Sequence, residues 1–220
     1  MQKTLISIIG STGIGKTKLA IEMAKHFGTE IISCDSRQFF KEMKIGTATP
    51  TDEELAQAKH HFIGHLSVQD YYSIGQYEED ALEKIEEIFE KNDFAVLVGG
   101  SMRYEKAVVE GLNDLPEANA ENQEKLQKIL DEEGLEKLQE ILKNLDEEYY
   151  NVVHKENPRR LLRAIDVIWQ TGRKYSEIIA EPKHKRDFKV VRIGVTAPRE
   201  IMYERINLRV YKMLENGLID

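Results

Sequence analysis

Cysteine is all but missing from this chain: among 220 residues only Cys34 carries a thiol. One thiol cannot build an internal disulfide framework, and such usage fits a reducing cytosol. Long apolar runs are missing as well. The longest, such as Phe94 to Val98, are strand length and fall far short of the roughly 20 residues of a membrane span. The N-terminus enters an apolar strand pattern at once, without the basic, apolar, small-residue order of a secretory signal. A cytoplasmic protein with no membrane partner is expected. No disorder signature is present either, since 41% of residues are hydrophobic and 32% charged. The length suffices for one sizeable core and a smaller appended unit.

An excess of positive charge is also lacking: the formal net charge is −8, which taken alone argues against a polyanionic partner. The charge is unevenly spread. Residues 105–153 hold 14 acidic and 5 basic side chains, a net of −9, whereas residues 154–192 hold 11 basic and 5 acidic, a net of +6. Nucleic-acid binding depends on local phosphate contacts, so a basic stretch on an acidic chain stays compatible with it. Two solvated helical faces of opposite sign would give the same counts.

What is present alternates strand and helix. Leu5 to Ile9 reads as a strand running into glycine-rich sequence. A helix follows with Leu19, Ala20, Met23, Ala24 and Phe27 on one stripe and Gly28 past its end. Glu30 to Cys34 reads as a second buried strand closed by Asp35, and Phe94 to Val98 as another, ending at Gly99-Gly100. Thr51 with Glu54, and Ser73 with Gln76, predict capping boxes that start helices. Beyond Gly111 the alternation stops, and residues 119–181 read as helices only. A strand returns at Lys189 to Thr196, with a helix from about Arg199. The predicted fold is an α/β parallel-sheet core of P-loop type, residues 1–115 and 186–220, interrupted by an all-helical insertion, residues 116–185.

Gly10-Ser11-Thr12-Gly13-Ile14-Gly15-Lys16-Thr17 matches the full phosphate-binding pattern of nucleotide- and ATP-binding loops, between a strand and a helix as that pattern requires. Glycines let backbone amides turn inward and the helix N-terminus adds positive potential, while Lys16 supplies a point charge and Thr17 can bind Mg²⁺. In a parallel sheet the carboxyl ends of strands converge on the ligand crevice. Three such ends carry functional groups: the loop, Asp35, and Ser101 after Gly99-Gly100. Asp35 is open to three readings, as metal ligand, general base or helix N-cap. The strand ending at Val98 lacks the acidic residue usual in ATP-hydrolysing P-loop proteins, which argues against motors and switches.

Eight motifs in order carry a resemblance. Besides the loop they are Ile32-Ser33-Cys34-Asp35-Ser36-Arg37-Gln38, Ile45-Gly46-Thr47-Ala48-Thr49-Pro50, His60-His61 and Val98-Gly99-Gly100-Ser101, then Gly111-Leu112-Asn113-Asp114-Leu115-Pro116, Asn157-Pro158-Arg159-Arg160 and Thr171-Gly172-Arg173. Together they resemble the tRNA dimethylallyltransferase family over essentially the whole chain. The resemblance implies that the loop, Gly10 to Thr17, holds the diphosphate of dimethylallyl diphosphate. It implies that the adenine beside the anticodon is flipped into a channel and attacks the allylic carbon through its exocyclic nitrogen. Asp35 would accept the proton, Lys16 and Mg²⁺ on Thr17 would stabilise the leaving group, and Ser101 would orient adenine or diphosphate. Arg205 or Arg209 would reach the diphosphate from the far side; spacing does not choose between them. The tRNA anticodon stem-loop would meet Asp35, Ser36, Arg37, Gln38 and Ser101. On the insertion it would meet Gln123, Arg159, Arg160, Leu161, Leu162 and Arg163, with the enzyme acting as a monomer.

Three departures accompany the match. Ser101-Met102-Arg103-Tyr104 stands where the family has threonine-glycine-leucine-tyrosine, keeping the hydroxyl but losing a glycine. Phe39-Phe40 is a mild change before the first tRNA-facing helix. Family members continue past the position of Asp220 with a further helical segment, so the chain is expected to lack that part. A small-molecule kinase, or an isopentenyltransferase acting on free adenine nucleotide, would share the loop but would not need the basic insertion. A tRNA-binding paralogue without transfer is a reading of a different class. His60 and His61, adjacent on a strand, would point to opposite faces and share no metal. Cys34 reads as a small apolar filler, and Trp169, after Ile165 and Ile168, as core.

Overall fold

The computed structural model describes residues 2–219. Five strands form one parallel sheet in the order β3-β2-β4-β1-β5, from β1 (Thr4–Gly10), β2 (Ile31–Ser33), β3 (His60–His61), β4 (Phe94–Val98) and β5 (Lys189–Val195). Central strands of a parallel sheet are buried on both faces and read as apolar runs, as β1 and β4 do. Alternation then sorts their side chains. Ile6, Ile8, Ile31, Val96 and Val98 pack against Ala20, Ile21 and Ala24 of α1 (Lys16–Phe27). Leu5, Ile32, Ala95 and Leu97 pack on the opposite face against Tyr77, Ala81 and Ile85 of α4 (Ile74–Lys91) and Val108 of α5 (Met102–Glu110). This is the α/β core expected from the strand–helix alternation.

Both anticipated capping boxes are formed, Thr51 with Glu54 at α3 (Asp52–Leu55) and Ser73 with Gln76 at α4. Short α2 (Lys44–Thr47) precedes them. The buried Glu105 carboxylate on α5 accepts hydrogen bonds from the Ser7 hydroxyl at 2.8 Å and from Arg192 Nε at 2.8 Å. It thereby ties the edge strand β5 to β1 and α5. Helix α11 (Arg199–Glu215) follows β5 and buries none of its described side chains. Among the described residues no helix is long and apolar enough to cross a membrane.

Residues up to Leu112 and from His184 onward make one compact unit, and Asn113–Lys183 make the second. The expected boundaries were 115/116 and 185/186. The second unit is all helix: α6 (Ala120–Glu133), α7 (Leu135–Leu145), α8 (Glu147–Val152), α9 (Pro158–Thr171) and α10 (Tyr175–Ala180). Its core is Leu126, Leu138, Leu142, Leu161, Ile165 and Ile168 with their neighbours. Trp169 is not part of it. One residue beyond Ile168 is about 100° further round the helix, which carries the indole off the apolar stripe to a 39% exposed position.

Asp146 is the polar staple of this unit. Its Oδ1 accepts from the Tyr149 amide at 3.0 Å and the Ser176 hydroxyl at 2.9 Å, and its Oδ2 from the Ser176 amide at 2.7 Å. Burial alone would raise its carboxyl pKa. The amides of Ser176 and Tyr149 and the Ser176 hydroxyl outweigh burial and hold it below the usual carboxylate value. A depressed folded-state pKa contributes stability that is complete above the unfolded value, near 4, and is lost as pH falls through the folded one. Asp146→Asn is therefore expected to melt below the parent at pH 6, with the gap closing toward pH 3. Circular dichroism melts across that range check it, and a gap independent of pH would sink the assignment.

Candidate active site

A cleft of about 730 Å³ lies along the carboxyl edge of the sheet, wholly within the first unit. Its floor begins at the phosphate-binding loop. Gly15 sits immediately before α1 with φ +100°, a left-handed conformation that a side chain resists. No side chain caps this helix, so its first amides and its positive end remain available to an anion. Lys16 Nζ donates to the carbonyls of Gly10 and Ser11 at 3.0 and 2.9 Å. Burial holds its ammonium below the usual lysine value, the Asp35 carboxylate pulls it back up, and Arg209 pushes it down again. Lys16, Asp35 and Arg209 thus share one electrostatic environment.

Asp35 reaches the cleft because β4 comes very close to the end of β2. A Cβ on Gly99 would stand 2.6 Å from the carbonyl carbon and Sγ of Cys34 and 2.7 Å from the Asp35 amide nitrogen. Only glycine fits there. Asp35 Oδ1 accepts from the Arg37 amide at 3.2 Å, and the Gln38 amide donates to the Asp35 carbonyl at 2.9 Å. These bonds close a turn rather than open a helix, so the helix-cap reading of Asp35 is set aside. Cys34 is buried, and burial pushes its thiol far above the usual range, in keeping with an inert filler.

The two arginines of α11 separate cleanly. Arg205 Nη1 donates to the Ile14 carbonyl at 3.1 Å, and its backbone lies where a Cβ on Gly13 would make ordinary contact, so it braces the loop. One turn on, Arg209 Nη2 donates to the Thr47 carbonyl at 2.6 Å, and burial holds its guanidinium below the usual arginine value against the opposing charge of Asp35. Lys18, Lys44 and Lys212 join Lys16, Arg205 and Arg209 along the wall, against Asp35 and Glu54 as the acids. An acidic protein has gathered cations where an anion would sit. Ile45, Ala48, Pro50, Ile63, Leu208 and Met213 supply an apolar stretch of the same wall.

Other expected site residues fall elsewhere. The Ser101 hydroxyl accepts from the Ser36 amide at 3.1 Å and lies 3.0 Å from the Ser36 hydroxyl; neither serine is among the cleft-lining residues. Ser101 therefore shapes the turn that carries Asp35. Gln38 does line the cleft, its Nε2 donating to the carbonyls of Thr47 and Ala48 at 3.3 Å, while Arg37 is exposed. In the helical unit Arg159 and Arg160 are exposed and Gln123 is half-buried. Leu161 and Leu162 are core, because they lie on the apolar stripe of α9, and cannot offer a side chain to a partner. Arg163 donates to Asp166 at 3.3 Å and to the Pro116 carbonyl, in a network where buried Asp166 also accepts from Asn122 and Gln170. Its fork is engaged in holding the start of the unit to α9.

Sequence reasoning missed Lys18, Lys44 and Lys212, which carry no motif of their own, gave Thr49 and Pro50 no individual role, and read Thr51 as a helix cap and His60 as structural. The motif Ile45 to Pro50 was the available signal: its Ile45, Ala48, Thr49 and Pro50 line the cleft wall.

Known proteins supply an independent comparison. Residues 38–220 match the IPP transferase family. The chain is 51% identical over 220 residues to a tRNA dimethylallyltransferase of Christiangramia forsetii, covering all of this chain and 73% of that protein. It is 43% identical over 217 residues to tRNA dimethylallyltransferase 1 of Bacteroides thetaiotaomicron, covering 99% and 70%. Among solved structures it is similar to the tRNA isopentenylpyrophosphate transferase of Bacillus halodurans, with TM-score 0.65, 34% identity and coverage of 100% and 68%. It is also similar to a eukaryotic dimethylallyltransferase acting on tRNA, with TM-score 0.85, 27% identity and coverage of 98% and 54%.

Proposed function

The chain belongs to the IPP transferase family, and we infer that it transfers a dimethylallyl group from dimethylallyl diphosphate to the exocyclic N6 of the adenine next to the anticodon in tRNA. The observation that carries this reading is the convergence of Lys16, Arg209 and Asp35 on one cleft: two cations for a leaving diphosphate and one carboxylate for a departing proton. The adenine nitrogen attacks the allylic carbon as the carbon–oxygen bond breaks, and the bonding pair leaves with the diphosphate. Asp35 accepts the proton that N6 sheds. Lys16, Arg209 and the amides at the start of α1 stabilise the charge that develops on the diphosphate, while Arg205 keeps the loop in shape. The named relatives support a tRNA activity rather than that of a kinase.

A divalent cation, Mg²⁺ by the chemistry of the loop, fits the residues present. The Thr17 hydroxyl has no side-chain partner among the described residues, and it stands at the loop's usual metal-binding position beside the cleft. Bound there, the metal would neutralise diphosphate charge. Of the residues expected to meet the tRNA, Arg37, Arg159 and Arg160 are exposed cations, and contacts of that kind offset the few kcal/mol that base flipping costs.

Labelled dimethylallyl diphosphate, incubated with unmodified tRNA, tests the reading: label is expected on tRNA, and label on free adenylate instead would overturn it. In the same assay Lys16→Ala is expected to weaken donor use by about 1.5–3 kcal/mol, the scale of a charge-assisted contact. Its affinity for tRNA should stay near the parent's. Normal donor use by this variant would mean that the loop holds something else.

A further inference from the structure

Ala48, at the end of α2, holds φ +45° and ψ +56°, a left-handed conformation that a residue with a Cβ resists. The turn is a complete Schellman motif. The Thr49 amide donates to the Lys44 carbonyl at 3.1 Å, and the Ala48 amide donates to the Ile45 carbonyl at 3.0 Å. Glycine is the usual residue where Ala48 stands. Strain of this kind persists only where the surroundings enforce it, and it gathers at functional sites.

The enforcing groups converge on Thr47. Gln38 Nε2 donates to the carbonyls of both Thr47 and Ala48 at 3.3 Å. The Thr47 hydroxyl donates to the Met43 carbonyl at 2.8 Å; with its one proton so committed, it accepts from the Thr49 hydroxyl at 3.0 Å. Thr47 is buried, only 6% exposed, and is not among the cleft-lining residues. Because α2 ends there, the Thr47 carbonyl has no partner in its own helix. It takes Arg209 Nη2 at 2.6 Å, and among the described residues no other acceptor bonds Arg209. Helix α11 buries none of its described side chains, so packing around that helix does little to place the guanidinium. The Thr47 carbonyl places it.

A donor serves a leaving group best when it stands in place before charge develops. A long side chain free to sample rotamers must instead be ordered by the ligand, at a cost in affinity. We propose that Thr47 is a positioning residue for Arg209: its buried hydroxyl locks the strained turn, and the turn holds its carbonyl as the seat of the guanidinium that meets the diphosphate. The proposal rests on the transferase reading of the cleft. Thr47 itself does not meet the substrate and acts through Arg209. The left-handed Ala48 is then the strain that keeps this carbonyl in place.

The probe is inorganic pyrophosphate with Mg²⁺, titrated by calorimetry so that neither tRNA nor turnover enters. Thr47→Val keeps the shape and removes the hydroxyl, whereas Thr47→Ser keeps the hydroxyl. Thr47→Val is expected to weaken pyrophosphate about 10-fold, the scale of one misplaced charge-assisted bond, and Thr47→Ser to stay within about twofold of the parent. Arg209→Gln alone should weaken it about 10-fold or more. Adding Thr47→Val to Arg209→Gln should bring no further loss, because residues that act through one another are not additive. A Thr47 that only supports the fold would lower affinity by the same factor in both backgrounds, and that result overturns the proposal. So does parent-like affinity in Thr47→Val, or a loss in Thr47→Ser equal to that in Thr47→Val. Each of these leaves the transferase reading intact. Should Thr47→Val fail to fold, Gln38→Leu, which strips the other donor from the same carbonyl, takes its place in the cycle with the same pattern expected and the same results against it. Parent-like binding by Arg209→Gln overturns the proposal together with the role of Arg209 at the diphosphate. A parent that binds no pyrophosphate at all overturns the loop reading itself.

Discussion

Asp35→Asn is expected to slow single-turnover transfer by about 10²–10⁴-fold, the usual contribution of a positioned proton acceptor. The melting temperature should stay close to the parent's. Asparagine keeps an oxygen for the Arg37 amide that Asp35 Oδ1 now engages, and the Gln38 amide bonds to the backbone carbonyl, which the substitution leaves in place. What it removes is basicity. It also removes the negative charge that supports protonated Lys16 and Arg209, so donor binding should change in a pH-dependent way. In the parent, burial lowers the Lys16 pKa and Asp35 opposes that shift. In the variant, Lys16 should lose its proton at lower pH, and pyrophosphate affinity should fall away earlier on the alkaline side. Transfer at near-parental rate, measured on the same preparation as the melt, would leave Asp35 as a binding residue only.

Gly99→Ala is the second large effect, and it reaches the chemistry through packing. The added methyl would stand 2.6 Å from the Cys34 carbonyl carbon and 2.7 Å from the Asp35 nitrogen, and backbone cannot yield as a flexible side chain can. Overpacking of this kind costs about 1–3 kcal/mol of stability. The same displacement moves Asp35 away from the groups it serves, and misplacement by about an ångström can cost 10²-fold in rate. Alanine at Gly134, where an added Cβ meets nothing within 4 Å but the backbone has φ +81°, provides the control. That variant should lose stability through conformational strain without a matching loss of transfer per folded molecule. Equal turnover by folded Gly99→Ala and parent would show that the approach of β4 to Asp35 has no part in catalysis.

The sheet and its two helical faces were legible because apolar runs, capping boxes and the loop pattern are local signals, carried by consecutive residues. Thr51 and Glu54, or Ser73 and Gln76, declare a helix start within four positions. The choice between Arg205 and Arg209 was not legible. Both lie on one helix one turn apart and both line the cleft, and only the placement of that helix over Gly13 and Thr47 shows that one bonds the Ile14 carbonyl and the other the Thr47 carbonyl. Ser101 follows β4 as the pattern required, but that its hydroxyl pairs with Ser36 could not be read from spacing. Leu161 and Leu162 followed the arginine motif by adjacency, whereas helical periodicity turns them inward. Trp169 failed in the opposite sense, one position past the stripe. The His60-His61 motif drew attention to His60 but not to its bonding, a contact with the Ala58 carbonyl and an Nε2 without a protein partner.

The pairing of β1 with β5 joins Thr4 to Lys189 and Gly10 to Val195. On the ribosome this means that the phosphate-binding loop emerges long before the helix that braces it. About 190 residues must be polymerised between Ile14 and Arg205, at roughly 5–20 residues per second, so the loop spends on the order of ten seconds or more without its brace. Such distant contacts slow folding, because chain closure has to precede any reward from pairing. A nascent chain in that interval has the glycines and Lys16 but neither arginine of α11. It can recruit neither Arg205 to hold the loop nor Arg209 to complete the charge around Asp35. Both arginines therefore reach their partners late and together, after nearly the whole chain has been made.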